Sequence, residues 1–256
     1  MRSGYPASLV DKAVATGGLE PGDPVVEIGP GTGKLTRELL ERGLVVDAVE
    51  PDADLAAVAR RIVGDAPVRF HMGTFEDVEL PAGAFRAVFA ATSYHWVDPD
   101  VGWKKVASLL EPGGIFALLN HIGGTKGAID EELTAVWHEV SIASRRWDPL
   151  SDEALWAGVD ERMDNVSELW AWLSRHDLAR PEAAALFRDV ELTREPAQGA
   201  LSTEHYLARV RTTNSYLHLA AVDQQRLEQG LSAVIEARGG TYTASHYAVL
   251  VTARRA

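Results

Sequence analysis

Strand-like and helix-like segments alternate along the N-terminal half of the chain, and this alternation restricts the possible folds more than any other feature. The apolar run Pro24–Ile28 leads into a loop with three glycines, and the amphipathic segment Lys34–Arg42 follows that loop. Further segments of the two kinds continue the pattern, with strands predicted at Val45–Val49, Val68–Met72, Phe85–Ala91 and Ile115–Leu119, and helices at Ala53–Val63 and Trp103–Leu110. Apolar strands separated by helices predict an α/β fold, a doubly wound parallel sheet with helices on both faces.

The alternation stops near Gly124 and resumes after Glu182, which indicates an inserted helical segment. Three helices are predicted there, at Ala128–Ser144, Ser151–Glu161 and Ser167–Arg175. The segment holds five of the seven tryptophans of the chain: Trp137, Trp147, Trp156, Trp170 and Trp172. Because a connection of about 60 residues is far longer than an ordinary loop, we predict a functional lid. Most of these tryptophans are expected to pack in its core, and one or two to line a pocket for an apolar or aromatic substrate.

The C-terminal part returns to mixed secondary structure. The sequence predicts a strand at Ala185–Glu195, helices at Thr203–Val210 and Asp223–Arg238, and a closing strand at His246–Ala253. The expected organisation is therefore a core at residues 1–123, the lid at 124–182 and the C-terminal part of the core at 183–256.

Composition excludes several classes of chemistry. The 256 residues include no cysteine, so disulfides, zinc–thiolate sites and thiol nucleophiles are excluded. The 37 acidic and 25 basic residues give a net charge of −12, which argues against nucleic acid as a partner. No histidines have the HExxH spacing of a zinc site, so we assign no metal. Arg145 and Arg146 concentrate positive charge in the lid, where they either hold an acidic substrate or lie in solvent.

The sequence offers no membrane signal. No apolar stretch approaches the roughly 20 residues that a membrane span needs, and the N-terminal residues lack the apolar core of a signal peptide. We therefore expect a cytoplasmic protein with no membrane partner, and nothing in the sequence indicates an oligomer. The excess of arginine over lysine is typical of a GC-rich genome and is compatible with secondary metabolism.

The sharpest motif is the loop after the first strand, in which Glu27 is followed by Gly29, Gly31 and Gly33. Glycines let the backbone turn tightly and approach a ligand, and the N-terminus of the next helix points at that ligand. The dinucleotide motif GxGxxG requires glycine or alanine at position 34, where this chain has Lys34. The loop therefore disfavours a nicotinamide cofactor, while a glycine turn that binds nothing is the alternative for the loop taken alone.

An acidic residue ends the second strand, at Glu50 before Pro51. A carboxylate at this position can accept both ribose hydroxyl protons of a nucleoside. Several classes of nucleotide-binding enzyme share such a residue, so Glu50 indicates a nucleoside without choosing among those classes.

Three further segments lie beside the later strands: Gly73–Asp77 after the third, Ala91–Asp98 at the end of the fourth, and Leu109–Gly114 before the fifth. With the glycine loop and Glu50, this ordered set resembles the class I S-adenosylmethionine-dependent methyltransferases, in particular a type 11-like subgroup that acts on small molecules. The resemblance implies a Rossmann-like sheet of seven strands with the last strand antiparallel. It also implies S-adenosyl-L-methionine as the cofactor.

The resemblance assigns roles to particular residues. Phe75 would pack on the face of the adenine, and Thr74 or Glu76 would lie near its exocyclic amine. Tyr5 would close over the methionine end of the cofactor, with a packing role as the alternative. The complete set implied to bind the cofactor is Tyr5, Glu27, Gly29, Gly31, Gly33, Glu50, Pro51, Thr74, Phe75, Glu76 and Ala91.

Two segments outside the five motifs also resemble this subgroup. Arg2–Pro6 is similar to an RPGYP segment, with Ser3 in place of proline, and Arg211–Tyr216 has the sequence RTTNSY. Since the family has residues ahead of the first of these segments, the start of the chain is expected to be shortened.

Methyl transfer is a direct displacement, so the protein mainly aligns the acceptor and excludes water. A base helps only where the acceptor loses a proton. His95, after the fourth strand, is the first candidate for that base, and fixing the loop is its alternative role. His121, after the fifth strand, is the second candidate, while His138 and His218 are weaker. Beside His95, Tyr94 and Trp96 are expected to wall the site, with packing in the core as the alternative for Trp96.

The predicted function is transfer of a methyl group to an oxygen, nitrogen or carbon centre of a small molecule. A relative that binds the same cofactor but performs other chemistry is an alternative, because a fold does not determine a reaction. An NAD-dependent oxidoreductase is disfavoured by Lys34 and by the absence of a Tyr-x-x-x-Lys pair. A nucleic-acid methyltransferase is disfavoured by the net charge and by the absence of an Asn-Pro-Pro-Tyr motif after the fourth strand.

Overall fold

The computed structural model describes residues 4–64, 66–123, 128–140 and 150–256. The strands are β1 Pro24–Ile28, β2 Val45–Glu50, β3 Val68–Met72, β4 Phe85–Ala91, β5 Leu110–Gly123, β6 Phe187–Ser202 and β7 Thr241–Arg255. The helices are α1 Ala7–Gly17, α2 Lys34–Glu41, α3 Ala53–Val63, α4 Pro99–Leu109, α5 Ala128–Val140, α6 Asp152–Asp160, α7 Val166–Ser174, α8 Ala183–Leu186, α9 Thr203–Val210, α10 Asn214–Leu217 and α11 Ala221–Glu236. A 3-10 turn, Tyr94–Trp96, lies between β4 and α4.

The strands form one seven-stranded sheet in the order β3-β2-β1-β4-β5-β7-β6. The pairs β1–β2, β2–β3, β1–β4 and β4–β5 are parallel. One strand is antiparallel, and helices flank the sheet. The predicted α/β class and the Rossmann-like, doubly wound sheet with an antiparallel strand are therefore confirmed. Because β1 lies between β2 and β4, the motifs that follow these strands meet at one edge of the sheet.

Local sequence explains where several elements begin. Asp52 caps α3 by accepting hydrogen bonds from the backbone nitrogens of Asp54 at 2.9 Å and Leu55 at 3.0 Å. Asp98 caps α4 in the same way, and Pro99 occupies the first turn of that helix. These short-range signals explain why α3 has the predicted bounds. They also show that α4 begins earlier than the predicted Trp103.

The residues between the predicted helix Trp103–Leu110 and the predicted strand Ile115–Leu119 are part of β5. Leu110 already pairs with Phe85, and Ile115 pairs with Ala87, so the residues between them form an irregularity inside the strand. Gly113 has a φ of +79°, and a Cβ on Gly114 would lie 2.9 Å from the carbonyl oxygen of Arg86. The two glycines therefore let the strand bulge without ending it, so β5 begins earlier than the predicted Ile115.

The chain divides into two compact units. The first contains the described residues up to 122 together with Gly158–Glu195 and Ala248–Ala256, and the second contains Gly123–Ala157 and Pro196–Tyr247. The first division, at Gly123, lies within one residue of the expected boundary. Two segments fall differently: α7, expected in the lid, belongs to the first unit, where Trp170 and Leu173 are buried, and Pro196–Tyr247, expected in the core, belongs to the second unit.

The first unit has an apolar core between its sheet and α1 and α2. Leu9 and Val10 of α1 and Leu39 of α2 are fully buried there against strand residues. An aromatic cluster elsewhere in this unit includes Trp103 and Phe116, whose ring centroids lie 5.8 Å apart. Trp103 also donates from Nε1 to the carbonyl oxygen of Leu178 at 2.9 Å, which fastens the segment after α7 to α4.

The second unit has its own core, formed by residues of α5, α9, α10 and α11. Trp137 packs against it, as expected of a tryptophan in a helical segment. In the segment with the sequence RTTNSY, Arg211 donates to both carboxylate oxygens of Glu228, and the Tyr216 hydroxyl also donates to Glu228. The arginine and the tyrosine therefore hold the end of α9 and α10 to α11.

Among the predicted features, residues 1–3, Arg145, Arg146 and Trp147 lie outside the described residues.

Candidate active site

A cavity of about 1160 Å³ opens at the sheet edge where the motifs meet, within the first unit. It is lined by most of the predicted site residues: Tyr5, Glu27, Gly29, Gly31, Glu50, Pro51, Thr74, Phe75, Glu76, Ala91 and His121. Gly33 and His95 are described but do not belong to this lining. The structure therefore brings together residues that are far apart in the sequence. Most of them lie at or just after the carboxyl end of a strand, whereas Tyr5 precedes α1.

Glu50 is held by the backbone around it. Its side chain is only 4% exposed, and its two carboxylate oxygens accept hydrogen bonds from the backbone nitrogens of Gly31 at 2.9 Å and Asp52 at 3.0 Å. Each oxygen has further acceptor capacity. The carboxylate is thus oriented in advance and able to accept protons from hydroxyl groups of a ligand.

Glu27 is a buried acid at the end of β1. It is 1% exposed, and its Oε2 atom has no hydrogen-bond partner among the described residues. Burial raises the pKa of Glu27 to about 7; the Thr36 hydroxyl opposes part of this rise, and the negative charge of Glu50 adds to it. A buried carboxylate with an unsatisfied oxygen is suited to receive a positively charged group.

The glycines of the loop have different roles. Gly29 has a φ of +63°, and a Cβ there would lie 2.7 Å from the Cβ of Ser93, whose hydroxyl donates to the carbonyl oxygen of Ile28. Gly33 has a φ of +80° and approaches Ala59 of α3, where a Cβ would lie at 3.1 Å. Gly33 thus serves helix packing, which explains why it does not line the cavity.

Substitution of Gly29 by alanine is expected to destabilise the protein by about 2–4 kcal/mol, since it adds an overlap with Ser93 to a left-handed backbone. Gly31→Ala is the matched control, because Gly31 has a φ of +57° but no atom within 4 Å of the added Cβ. It should cost about 1 kcal/mol. Urea denaturation of the two variants measures the difference, and equal losses would show that the contact with Ser93 is unimportant.

The loop after β3 forms a compact turn. The Thr74 hydroxyl donates to Oδ2 of Asp77 at 2.7 Å, and Oε1 of Glu76 accepts from the backbone nitrogen of Asp98 at 2.6 Å. Phe75 is 3% exposed and lines the cavity with its neighbours. The Glu76 carboxylate is thus partly engaged at the start of α4, a contact that the sequence pattern did not indicate.

Tyr5 and His121 line the cavity side by side. Their rings stack with centroids 4.7 Å apart and an angle of 14° between the planes. The Tyr5 hydroxyl hydrogen-bonds the Thr92 hydroxyl and also donates to the carbonyl oxygen of Leu119 at 3.3 Å. Asn120 completes the group, since its Oδ1 accepts from the backbone nitrogen of His121 at 2.9 Å and from the Thr92 hydroxyl at 3.3 Å.

Thr92 occupies a strained position beside this group. Its φ of +53° is left-handed, a conformation that is a genuine outlier for a β-branched residue. Such strain is commonly found at functional sites. Thr92 and Asn120 were not predicted as site residues. Thr92 lies in the segment Ala91–Asp98, but the motif gave it no role, and Asn120 lies outside the motifs. The available signal was their position directly after the predicted strands Phe85–Ala91 and Ile115–Leu119.

His95 lies beside the cavity rather than on its wall. Its ring stacks on His176, with centroids 4.5 Å apart and planes 12° apart. Trp96 does line the cavity and is 76% exposed. Tyr94 is completely buried and packs edge-on against Trp103, so it is a core residue and not a wall of the site. Of the two predicted histidines, His121 is the one that faces the cavity.

The cavity also has an apolar side that the motifs did not indicate. Leu55, Val58 and Ile62 of α3 line this side at helical spacing. The charged residues Lys34 and Asp52 also line the cavity.

In the described part of the chain, no group of three or more histidine or acidic side chains is arranged to bind a metal. Within the same residues, no helix combines the length and the apolar character that a membrane span requires.

Residues 26–118 match the profile of a protein family described as "Methyltransferase domain". An uncharacterised methyltransferase of Mycobacterium tuberculosis is 34% identical over 151 residues, which cover 59% of this chain and 57% of that protein. The match thus spans somewhat more than half of the relative. The ribosomal RNA small subunit methyltransferase A of Methylococcus capsulatus is 48% identical over 66 residues, 25% of this chain and 26% of that protein.

Two solved structures are similar over nearly the whole chain. A proposed type II methyltransferase from Anaeromyxobacter dehalogenans has a TM-score of 0.64 at 19% identity, covering 100% of this chain and 98% of that one. Phosphoethanolamine N-methyltransferase 2 from Haemonchus contortus, in complex with S-adenosyl-L-methionine, has a TM-score of 0.51 at 17% identity, covering 97% of this chain and 52% of that one. At these identities the likeness shows a shared fold.

Proposed function

Because this chain carries a class I S-adenosylmethionine-dependent methyltransferase domain, we propose that it transfers a methyl group to a small-molecule acceptor. The observation that carries the proposal is the pair of buried carboxylates beside the glycine loop. Glu50 is held by two backbone N–H groups, and Glu27 has an unsatisfied oxygen. These two acids suit the ribose hydroxyls and the ammonium group of S-adenosylmethionine, the cofactor of this class.

Other predicted residues that line the cavity suit the same cofactor. Phe75, with Thr74 and Glu76, would contact the adenine, and Gly29 and Gly31 would allow the backbone to approach the ligand. When bound, S-adenosylmethionine supplies a methyl group on a positively charged sulfur. The work left to the protein is to align the acceptor with that group and to exclude water.

The acceptor is proposed to lie in the cavity against the rings of Tyr5, His121 and Trp96, which all line it. Flat rings suit an apolar or aromatic molecule and stabilise a nearby cation. His121 is the candidate base where the acceptor must lose a proton, a contribution of about 10²–10⁴ in rate. His95 remains a candidate that would act from beside the cavity, in contact with His176.

Charge favours a small molecule over RNA as the acceptor, although one similar protein is named for ribosomal RNA. The net charge of −12 repels a polyanion. The cavity itself is lined by acids (Glu27, Glu50, Asp52, Glu76 and Asp77) and by Lys34. This lining favours a neutral or cationic acceptor.

Isothermal titration tests the cofactor assignment. We expect saturable one-site binding of S-adenosylmethionine and S-adenosylhomocysteine, and no binding of NADH, because Lys34 interrupts the dinucleotide motif. Absence of binding by both sulfur compounds would reject the proposal.

The acceptor class is tested with S-adenosylmethionine labelled in its methyl group. The labelled cofactor and the protein are incubated with a cell extract, which is then divided by ultrafiltration. Label is expected in the low-molecular-mass fraction, and label in the RNA fraction would contradict a small-molecule acceptor.

A further inference from the structure

One lysine holds the loop at residues 73–78, which we call the adenine loop. Lys105 of α4 donates from Nζ to the carbonyl oxygen of Glu76 at 3.0 Å and to that of Val78 at 2.6 Å. The same nitrogen lies 5.3 Å from the centroid of the Phe75 ring. A single ammonium group therefore contacts two peptide carbonyls and one aromatic face of the adenine loop.

The position of Lys105 is partly buried. Burial lowers the pKa of its ammonium group, while the negative charges of Glu76, Asp77 and Glu79 oppose that shift. An ammonium group partly withdrawn from water is stable only when its charge is satisfied by nearby partners. The two carbonyls and the acidic neighbours supply that satisfaction here.

The bonds from Lys105 determine how the peptide groups of the adenine loop are oriented. The backbone nitrogens of Asp77 and Val78 both donate to the carbonyl oxygen of Thr74, at 3.2 and 3.1 Å. With the carbonyls of Glu76 and Val78 bound to Lys105, the main-chain polar groups from residue 74 to residue 78 are largely fixed in direction. Fixed polar groups can distinguish ligands by their pattern of donors and acceptors.

We propose that Lys105 is a positioning residue that makes the site selective for an adenine base. The inference rests on the proposed binding of S-adenosylmethionine. Adenine presents a donor at its exocyclic amine and an acceptor at N1, whereas hypoxanthine presents an acceptor and a donor at these places. An adenine loop held by Lys105 leaves polar groups unpaired when hypoxanthine is bound, and it therefore rejects that base.

Titration with S-adenosylhomocysteine and S-inosylhomocysteine tests this role. The measured quantity is the dissociation constant of S-inosylhomocysteine divided by that of S-adenosylhomocysteine. Lys105→Met is expected to reduce this ratio by about tenfold, since one misplaced polar contact is worth about 1.4 kcal/mol. Lys104→Met is the matched control, because Lys104 lies on the same helix with a side chain that is 60% exposed and paired with Glu182 at 3.6 Å. Its ratio should equal that of the wild type.

A second variant covers the case in which Lys105→Met does not fold. The amide nitrogen of Lys105→Gln stops one bond short of the ammonium position, so the direct bonds to Glu76 and Val78 are lost while a polar group remains. The ratio is expected to fall in this variant too. A wild-type ratio in a folded Lys105 variant would overturn the inference, as would an equal loss of affinity for both ligands. Failure of the wild type to bind S-adenosylhomocysteine would instead reject the proposed function.

Discussion

Replacing Glu50 by alanine is expected to weaken the binding of S-adenosylhomocysteine by about 100-fold, since a hydrogen bond to a charged group contributes about 1.5–3 kcal/mol and two ribose hydroxyls lose their partner. The carboxylate is 4% exposed and already oriented by the backbone nitrogens of Gly31 and Asp52. A ligand therefore meets an acceptor that needs little ordering on binding. Isothermal titration of the variant measures the loss directly.

His95→Ala is the comparison for this experiment. His95 stacks on His176 and does not line the cavity, so its removal should leave the affinity for S-adenosylhomocysteine nearly unchanged. Any effect of His95→Ala is expected in turnover. Wild-type affinity in Glu50→Ala would refute the assignment of Glu50 to the ribose.

The second large effect is expected at Glu27, through the dependence of stability on pH. Burial raises the pKa of this acid from 4.5 to about 7 in the folded protein. An acid whose folded pKa is raised contributes its full stability below its unfolded pKa, and this contribution is lost as the pH rises through the folded pKa. Between about pH 4.5 and pH 7, the free energy of unfolding of the ligand-free protein should therefore fall by about 3 kcal/mol on account of Glu27.

Glu27→Gln removes this titration while keeping the size of the side chain. Urea denaturation at pH 5 and pH 8 is expected to show that the variant gains on the wild type by about 3 kcal/mol at the higher pH. Glu41→Gln is a control at an acid on α2 with a 59% exposed side chain. The same pH dependence in wild type and Glu27→Gln would show that Glu27 does not titrate in this range.

Cofactor binding should be linked to the same proton. If an ammonium group of the ligand approaches Glu27, it favours the carboxylate, so binding near pH 6 should release a proton and the affinity should rise with pH. Titrations of S-adenosylhomocysteine in two buffers with different ionisation enthalpies measure this release. The release should be absent in Glu27→Gln.

Much of the fold could be predicted from local patterns. The bounds of β1, α3, β3, β4 and α9 agree with the prediction, because apolar runs with clear polar or glycine breaks determine these elements. The long strands β5, β6 and β7 were predicted only in part. Their ends are polar or contain glycine, and they are strands because neighbouring strands pair with them.

The candidate site was predictable where a motif follows a strand. Glu27, Glu50 and Phe75 line the cavity as expected, since the carboxyl ends of parallel strands meet at one edge of the sheet. Asn120 and Lys105 were missed, because each acts on a loop that is distant in the sequence. No local pattern indicates which helix or strand will lie behind a given loop.

The sequence by itself determined the class of fold, the cofactor class and the set of strand ends at which the site lies, because these depend on periodicity and on motifs within a few residues. The tertiary structure decided that His121 faces the cavity while His95 stacks on His176. It also decided that Glu27 is buried with an unsatisfied oxygen and that Lys105 supports the adenine loop. Burial, pKa and orientation depend on neighbours contributed by distant parts of the chain, and only the folded arrangement specifies those neighbours.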